Sequence, residues 1–313
     1  MTQTTSVVLE KYQVRKNKKQ KSAFINYVSE IASENGFDVN VEKGAFGVRN
    51  IVVGDPEKAK VVFGAHYDTC AVLPFPNFLA PKNIFVYILY ILLLCIPYSA
   101  LLLVTKNLAF DGMIALEMPF DTIILIYKLI PVFATVVLLW LALFGVANKH
   151  TVNDNTSGVT LLLDIITSCP PSSRGDIALV FFDLEEAGLF GSMAFASKHK
   201  KVMKNKLLVK FDCVSDGENI LFAVRRGAVK YMPVIRQAFE SDGTVLVEVA
   251  DKGIFYPSDQ MNFPCGVGVG AFKKTKKLGI LYIDRIHTKK DTVYRHENID
   301  FLKNGSLKLI DIL

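Results

Sequence analysis

Closely spaced cysteines are absent from this 313-residue sequence. Its five cysteines, at positions 70, 95, 169, 213 and 265, lie far apart, and no two of them form a C-x-x-C pair. A disulfide-stapled scaffold is therefore not expected, and we predict free thiols in a reducing compartment. Cys213 follows a candidate metal ligand, but we interpret it as a small buried apolar residue rather than a ligand.

Runs of basic residues interleaved with aromatics are also absent, and the net charge is only +6. The sequence thus gives no indication of a nucleic-acid groove, and its mild positive balance fits a cytoplasmic surface next to a membrane. The first eight residues are polar, and the basic stretch from Lys11 to Lys21 is not followed by the apolar core of a signal peptide. We expect the N-terminus to stay in the cytoplasm.

Two long segments contain almost no charge. Residues 83–104 have no charged side chain, and residues 123–147 have only Lys128, which lies near the start of its run and can reach the membrane interface. Each run is long enough to cross the hydrocarbon core as a helix, at about 1.5 Å per residue over ~20 residues. Buried core helices are the alternative, but these usually carry a polar stripe, which both runs lack.

Charges outside the two runs predict their orientation. The connecting loop, residues 105–121, has one lysine and three acids, whereas basic residues flank the pair on both sides. The positive-inside rule places the flanks in the cytoplasm and the loop outside. We therefore predict a multi-pass protein of the plasma membrane, in which residues 83–148 form a transmembrane hairpin. Residues 1–82 and 149–313 would fold together as one discontinuous cytoplasmic domain.

The rest of the sequence alternates strand-like and helix-like segments. Helical spacing of apolar residues predicts helices at 20–35 and 159–168, and short apolar strands end at or just before His66, Glu185 and Asp212. This alternation predicts an α/β fold with a mostly parallel central sheet and helices on both faces. Ligand sites of open α/β sheets form at the carboxyl ends of the strands, so the polar residues found there are candidates for a functional site.

Seven such residues carry imidazole or carboxylate groups, which are suitable zinc ligands. They are His66, Asp68, Asp154, Glu185, Glu186, Asp212 and His287. Taken singly, each has an ordinary explanation as a solvated turn, a helix cap or a loop histidine. Their occurrence in this order, each after its own strand or loop, is much harder to obtain by chance.

The motifs that carry these residues resemble a known family. They read AHYDT, NDNTSG, FFDLEEAGLFGS, KFDCVSDG, YPSDQMNF and RIHTKKDT. Together they are similar to the di-zinc aminopeptidases of clan MH, which include secreted bacterial leucine aminopeptidases and glutamate carboxypeptidases. The resemblance spans about residues 12–70 and 150–302, which is nearly all of the sequence outside the two apolar runs.

The resemblance implies two Zn2+ ions per chain and a role for each residue. The implied ligands are His66 and Asp212 for one ion, Glu186 and His287 for the other, and Asp154 for both. Glu185 is implied as the general base, and Asp68 as the residue that orients the imidazole of His66. Three protein ligands per ion leave a position for water, and a carboxylate beside the ligands can carry its proton to the leaving amine. Asp216 is a competing candidate for the role of Asp212, although the family places the ligand directly after the strand.

The sequence departs from the family pattern at several places. Ile286 stands where the secreted aminopeptidases have a tyrosine that assists the oxyanion, and Tyr256 or Tyr282 is the candidate replacement. Gln260 stands where the family commonly has a histidine, which leaves the details of the substrate pocket open. The hairpin at residues 83–148 occupies the place of a short loop, so the active site would open near the inner membrane surface.

We therefore predict a membrane-anchored zinc peptidase that hydrolyses N-terminal residues of peptides with a hydroxide activated by two Zn2+ ions. A related zinc carboxypeptidase or amidohydrolase is an alternative, with Arg225 and Arg226 as possible sources of positive charge, and so is a non-catalytic membrane scaffold. The expected partners are the lipid bilayer and a peptide held at or emerging from the membrane. The competing hypothesis is that the hairpin is only an anchor.

Overall fold

A computed structural model describes residues 2–241 and 243–313. The strands among these residues are β1 (Val39–Lys43), β2 (Arg49–Gly54), β3 (Val61–His66), β4 (Ile177–Phe182), β5 (Leu207–Phe211), β6 (Asn219–Val224), β7 (Leu246–Ala250), β8 (Gly266–Lys274) and β9 (Leu281–Tyr282). The helices are α1 (Gln3–Lys11), α2 (Lys18–Glu34), α3 (Ile84–Ala115), α4 (Phe120–Phe144), α5 (Gly158–Ser168), α6 (Phe190–Lys198), α7 (Lys200–Met203), α8 (Met232–Ala238) and α9 (His296–Ile312).

Helix α2 begins where its sequence provides a cap. Asn17 Oδ1 accepts the backbone N–H of Gln20, and the Gln20 side chain accepts the backbone N–H of Asn17, so a capping box closes the first turn. The apolar face of the helix, which includes Phe24 and Val28, is buried in the core. A cap at the start and an apolar stripe explain why this predicted helix forms.

The sheet is mixed. Its strands lie in the order β1-β2-β4-β3-β5-β8-β6-β7, and β9 pairs with β8. The central strands β4, β3, β5 and β8 are parallel neighbours, whereas the pairs β1–β2, β2–β4 and β8–β6 are antiparallel. The predicted α/β fold is confirmed, with its parallel pairings concentrated in the middle of the sheet.

Apolar layers cover both faces of the central strands. In β4, Leu179 and Phe181 face a layer built by α1, α2, α5 and α9, whereas Val180 and Phe182 face the opposite layer with α6. Successive side chains of a strand point to opposite faces, so a strand that is covered on both sides must be apolar throughout. This explains why the sequences of β3, β4 and β5 are apolar almost throughout. Apart from a few polar residues, their side chains belong to the buried core.

Three of the central strands, β3, β4 and β5, deliver polar residues to one edge of the sheet. His66 is the last residue of β3, Glu185 follows shortly after β4, and Asp212 comes directly after β5. Because β3 runs parallel to both β4 and β5, their carboxyl ends meet at the same edge. The fold therefore brings side chains that are far apart in the sequence into one place.

Helices α3 and α4 pack against each other and stand apart from the sheet. Both are long and apolar enough to cross a membrane, with mean hydropathies of 2.4 and 2.3 over their most apolar segments. Almost none of either segment is buried. The loop predicted at residues 105–121 is wrong in large part, because α3 continues to Ala115 and only residues 116–119 form the turn. Helix α3 ends at Ala115, Glu117 in the following turn has a positive φ, and Pro119 directly precedes α4.

The start of the hairpin is joined to the sheet domain beside the candidate site. Leu79 forms an antiparallel β-bridge with Ile283, four residues before His287. In the first turn of α3, the ring of Tyr87 lies 5.5 Å from the ring of Phe255. These contacts fix where α3 leaves the domain, close to the segment that carries the last candidate ligand.

Candidate metal centre

All seven polar residues predicted from the sequence come together at the carboxyl edge of the sheet. Five separate segments supply them: the end of β3, the irregular turn before α5, the loop after β4, the end of β5 and the loop after β9. None of these segments could form the site alone, because each contributes at most two donor side chains.

Asp154 lies at the middle of the group. Its Oδ1 is 3.2 Å from Nε2 of His66, and its Oδ2 is 3.1 Å from Nε2 of His287. His66 Nε2 also lies 3.4 Å from Asp212 Oδ1, and His287 Nε2 lies 3.1 Å from Glu186 Oε2. The donors thus form two adjacent sets that share Asp154. We call the set with His66 and Asp212 the Asp212 position. We call the set with Glu186 and His287 the Glu186 position.

Asp68 lies behind the donors and contacts three of their groups. His66 Nδ1 is 3.2 Å from the Asp68 carbonyl oxygen and 3.5 Å from Asp68 Oδ1. The same carboxylate accepts the backbone N–H of Glu185 at 3.0 Å and that of Glu186 at 3.2 Å. A buried acid in this place holds one imidazole and both glutamates, which is the geometry that an orienting residue requires.

Asp291 holds the turn that carries Asp154, and the sequence analysis did not single it out. Its Oδ1 accepts the backbone N–H of Asn153 at 2.7 Å, and its Oδ2 accepts that of Asp154 at 3.0 Å. Burial raises the pKa of Asp291 to about 7. A signal was available, because Asp291 belongs to the same quoted motif as the last candidate histidine.

A buried lysine beneath the site was also missed. Lys210 on β5 is fully buried, and its Nζ lies 2.6 Å from Asp212 Oδ2, 2.6 Å from Ser258 Oγ and 3.4 Å from Asp259 Oδ2. Ser258 Oγ in turn lies 3.2 Å from Glu185 Oε1. The signal in the sequence was a single charge inside the apolar strand LLVKF, which a buried strand tolerates only when the charge has partners.

Negative charge dominates the centre. Burial by itself lowers the pKa of a histidine, but the neighbouring carboxylates overcome this effect and raise the pKa of both His66 and His287 well above its usual value. Burial raises the pKa of Glu185 well above its usual range, and it raises that of Glu186 as well. Both trends show several carboxylates in a poorly solvated space, where a bound cation would offset their charge.

The donors present fit zinc. His66, Asp154 and Glu186 can place one ligand atom each within 4.8 Å of one another, and so can His66, Glu185 and Asp212. Glu186 Oε1 is buried and has no hydrogen-bond partner in the described part of the chain. Such an oxygen is costly unless something completes its shell, and imidazole with carboxylate is a usual zinc donor set.

The competing acid Asp216 lies to one side of this centre. Its carboxylate is 3.5 Å from Lys273 and 3.5 Å from Arg285, and it belongs to none of the possible ligand groups found in the described residues. Asp212 instead lies within 3.4 Å of His66. The geometry therefore favours Asp212 over Asp216 as the acid of this position.

Two cysteines lie within reach of the donors. Cys213 Sγ is 3.4 Å from Asp212 Oδ1, and Cys70, which the sequence analysis did not consider as a ligand, can be grouped with Glu186 and His287. Burial raises the pKa of both thiols well above its usual value. Both cysteines are buried, and a buried free cysteine commonly serves as a small apolar residue, which agrees with the interpretation of Cys213.

A cavity of about 80 Å³ adjoins the donors. Its apolar wall is formed by Leu79, Ile283 and Ile286 together with Tyr87 from the first turn of α3. Within the described residues, neither lysine nor arginine lines it. The cavity is small, it is acidic on one side and apolar on the other, and one of its walls belongs to the hairpin.

The sequence offered Tyr256 and Tyr282 as replacements for the tyrosine that is absent at position 286, and of these two only Tyr256 reaches this cavity. Tyr256 lines it and donates its hydroxyl to the Asp212 carbonyl oxygen at 2.8 Å, whereas Tyr282 is not part of the lining. Gln260 lies behind Tyr256, where its Nε2 donates to the Tyr256 carbonyl oxygen at 2.6 Å. Arg225 lines a separate depression on the other side of Tyr256, so it does not supply positive charge to the cavity.

Comparison with protein families gives one match. The family model described as peptidase family M28 matches residues 143–311, slightly more than half of the chain. The matched range includes Asp154, Glu186, Asp212 and His287, whereas His66, α3 and all but the last two residues of α4 precede it. Comparison with curated proteins gives no match.

Solved structures with the same fold include both peptidases and cyclases. The LapA aminopeptidase of Legionella pneumophila is 13% identical with a TM-score of 0.54, and the alignment covers 99% of this chain and 67% of that one. A Zn-dependent exopeptidase from Parabacteroides distasonis is 15% identical with a TM-score of 0.56, covering 98% and 94%. A glutaminyl cyclase from Bacteroides thetaiotaomicron is 16% identical with a TM-score of 0.56, covering 98% and 94%. These similarities confirm the predicted zinc-exopeptidase-like architecture.

Proposed function

Since the chain belongs to peptidase family M28, we propose that it is a zinc-dependent exopeptidase that removes N-terminal residues from peptides. The observation that carries this proposal is the shared carboxylate of Asp154, which presents one oxygen to each of two histidines. Two cations held close together need a bridging anion between them, and a centrally placed aspartate provides it.

The two donor sets would hold two Zn2+ ions. His66 and Asp212 would bind one ion, Glu186 and His287 the other, and Asp154 both. Bound zinc supplies Lewis acidity, which lowers the pKa of a water molecule to about 7 and polarises a peptide carbonyl. Asp68 and Asp291 hold the donors from behind, so the side chains are already oriented when the metal arrives.

Glu185 is the residue that we propose to move the proton. It lies next to His66 and Asp212, and its backbone N–H is held by Asp68. Ser258 Oγ, which lies 2.6 Å from Asp212 Oδ2, is also 3.2 Å from Glu185 Oε1. A carboxylate in this place can accept a proton from water and deliver it to the leaving amine of the cleaved peptide.

The cavity supports action at an amino terminus rather than at a carboxyl terminus. The charged residues of its described lining are four acids and one histidine, and none is a lysine or arginine. An ammonium group is attracted by such a lining, whereas a terminal carboxylate is repelled. With a volume of about 80 Å³, the cavity has room for part of one residue, which fits an exopeptidase.

We further propose that α3 and α4 cross a membrane and that the substrate is a peptide held at or emerging from it. Tyr87, in the first turn of α3, lines the cavity, so the entry of the first span is part of the active site. The excess of basic residues on the flanks supports a cytoplasmic catalytic domain. Cysteines introduced at Glu117 and Lys149 test this orientation. A membrane-impermeant maleimide should label the first and not the second in intact cells, and the reverse pattern would contradict the proposed topology.

Metal content and cleavage of a peptide panel test the enzymatic proposal together. The protein would be purified in detergent, analysed for zinc, and assayed on peptides with free and with blocked N-termini, alongside Glu185→Gln. We expect about two zinc ions per chain, cleavage of free N-termini only, and a loss of at least roughly 100-fold in Glu185→Gln. Protein that binds no zinc and cleaves no peptide would instead fit a non-catalytic scaffold.

Cyclisation of N-terminal glutamine is a second candidate reaction. Several solved structures with this fold are glutaminyl cyclases, and a small cavity with one apolar wall suits a reaction that does not consume water. In that reaction the terminal amine attacks its own side-chain amide, the C–N bond to the amide nitrogen breaks, and ammonia leaves. Peptides with N-terminal glutamine therefore belong in the panel, and ammonia release without shortening of the peptide would favour the cyclase.

A further inference from the structure

The turn between β8 and β9 combines positive charge with an exposed apolar side chain. Residues 274–280, which we call the basic turn, read KTKKLGI, and their three lysines are exposed. Leu278 has 77% of its surface exposed. Lys273, just before the turn, pairs with Asp216 and Asp284, whereas within the described residues the three lysines of the turn pair with no acid. The basic turn therefore offers unpaired ammonium groups next to a leucine in solvent.

A cavity of about 410 Å³ lies between the basic turn and the start of the hairpin. Lys274 and Leu278 line it from the turn, and Lys82 lines it together with Asn83, the residue that caps α3. Glu248 is the only acid of its described lining, and it pairs with Lys82. The ammonium group of Lys274 is thus left to attract an anion into the cavity.

The basic turn lies at the level where the chain would enter the lipid. Helix α3 begins at Ile84, directly after the two residues that line the cavity, and Phe85 in its first turn is 81% exposed. Strand β8 runs parallel to β5, so the basic turn leaves the sheet at the same carboxyl edge as the candidate metal centre. Lysines beside a membrane span are attracted to anionic headgroups, and an exposed apolar side chain can enter the interface.

We propose that the basic turn and the cavity behind it bind the headgroup of an anionic phospholipid beside the first span. Lys274 contacts the phosphate from within the cavity, Lys276 and Lys277 face the charged surface around it, and Leu278 enters the interface. This contact holds the carboxyl edge of the sheet against the membrane, in addition to the two chain connections to the hairpin. The inference rests on the proposed crossing of the membrane by α3 and α4, but not on catalytic activity.

Lipid binding by the full-length chain in an uncharged detergent tests the proposal. Native mass spectrometry would measure the affinity for dioleoyl phosphatidylglycerol and for dioleoyl phosphatidylcholine, which has the same chains and no net charge. Each lysine near an anionic surface strengthens the attraction several-fold, so the anionic lipid should bind at least roughly 10-fold more tightly. Equal affinities would overturn the inference. Displacement of the anionic lipid by an equal concentration of inorganic phosphate would also overturn it, because the site would then bind a free anion.

Neutralising the basic turn should remove this preference. Lys274→Gln, Lys276→Gln and Lys277→Gln together should lower the affinity for phosphatidylglycerol to that for phosphatidylcholine, whose affinity should stay within about 3-fold. The substituted side chains are exposed, so the unfolding temperature should not change. A triple variant that kept the full preference for the anionic lipid would overturn the inference.

A matched control removes the same charge from the opposite edge of the sheet. Lys200, Lys201 and Lys204 are exposed and lie in or directly after α7, which precedes the amino end of β5. Their combined change to glutamine should leave the preference intact. If this control lost the preference as fully as the variant of the basic turn, lipid binding would follow net charge alone and the inference would fail.

The inference and the proposed membrane crossing can fail separately. A full-length chain recovered in the soluble fraction of cells would overturn both. Equal affinities for the two lipids in a membrane-bound chain would overturn this inference alone.

Discussion

Asp154 connects the two halves of the centre through a single side chain. Its two carboxylate oxygens lie 3.2 and 3.1 Å from the imidazoles of His66 and His287. Although burial alone would raise the pKa of Asp154, hydrogen bonds from these two histidines lower it to about 2. The residue therefore stays charged at neutral pH, which a bridging ligand requires.

Replacement of Asp154 should disable both metal positions at once. In Asp154→Asn one anionic oxygen becomes an amide nitrogen, so one position loses its ligand and the other loses the shared charge. Residues that only support metal ligands typically change affinity by 10- to 100-fold, so we expect a loss of activity of more than about 100-fold. Zinc analysis and peptide cleavage measure it.

Asp216→Asn is the control for that variant, because Asp216 faces Lys273 and Arg285 rather than the histidines. It should keep its zinc and most of its activity. If the two variants lost zinc equally, Asp154 would not be the shared ligand.

At the residue scale, the seven candidates were predicted to lie together, and two buried residues that contact them, Lys210 and Asp291, were missed. His66 and Asp212 could be predicted because an imidazole and a carboxylate come at the ends of apolar strands, and Asp154 because it lies in a motif that resembles the family's. Lys210 and Asp291 each gave a sequence signal, but their partners could not be predicted, because these depend on which segments meet in space. Lys210 has a partner 48 residues away in Ser258, and no local pattern encodes that contact.

Helix α3 is part of the hairpin, and it also contributes a side chain to the candidate site. Its first turn brings Tyr87 into the wall of the cavity, and the Tyr87 ring rests against Phe255. Phe85 belongs to the same turn but points away, with 81% of its surface exposed. The two aromatic side chains thus offer a direct comparison between a wall of the cavity and a surface outside it.

Shortening Tyr87 should change which N-terminal residues are accepted. In Tyr87→Ala the cavity becomes larger, so kcat/KM for bulky N-terminal residues should rise relative to that for alanine by roughly 10-fold. Phe85→Ala should leave this ratio unchanged. A panel of dipeptides measures the ratio for each variant, and equal ratios in both would mean that α3 does not contribute to specificity.

Elements with a strong pattern of their own were predicted, and elements that depend on packing were missed. Helix α2 has both a cap and an apolar face, so its sequence alone was enough to predict it. Helix α1 is polar and short, and it is stabilised by distant contacts, such as the hydrogen bond of 2.7 Å from Thr2 Oγ1 to Asp164 Oδ1. The end of α3 was misplaced because charged residues such as Asp111 read as a loop, although they lie on a continuous helix.

At the scale of the whole molecule, the contribution of the hairpin can be tested separately from that of the catalytic centre. All candidate ligands lie outside residues 84–144, so a chain in which a short Gly/Ser linker replaces these residues should still bind zinc. It should lose its preference for a lipid-anchored peptide over the same soluble peptide, by roughly 100-fold, because enzyme and substrate no longer share a surface.

Cleavage of both peptides on liposomes and in solution measures this preference. A chain with the intact hairpin and Glu185→Gln serves as the background control. If the linker variant kept the full preference for the anchored peptide, the hairpin would contribute neither anchoring nor recognition, and the preference would lie entirely in the sheet domain.

The position of the hairpin within the chain also determines when the enzyme can mature. Strand β3 ends in His66 and is made before the hairpin, but its two neighbours, β4 and β5, are made after it. During synthesis β3 therefore has no neighbour to pair with until both apolar helices have left the ribosome. The two donor sets are completed later still, when His287 emerges. The donor sets can therefore be assembled only after both apolar helices have been synthesised, so a complete metal centre cannot precede the hairpin during synthesis.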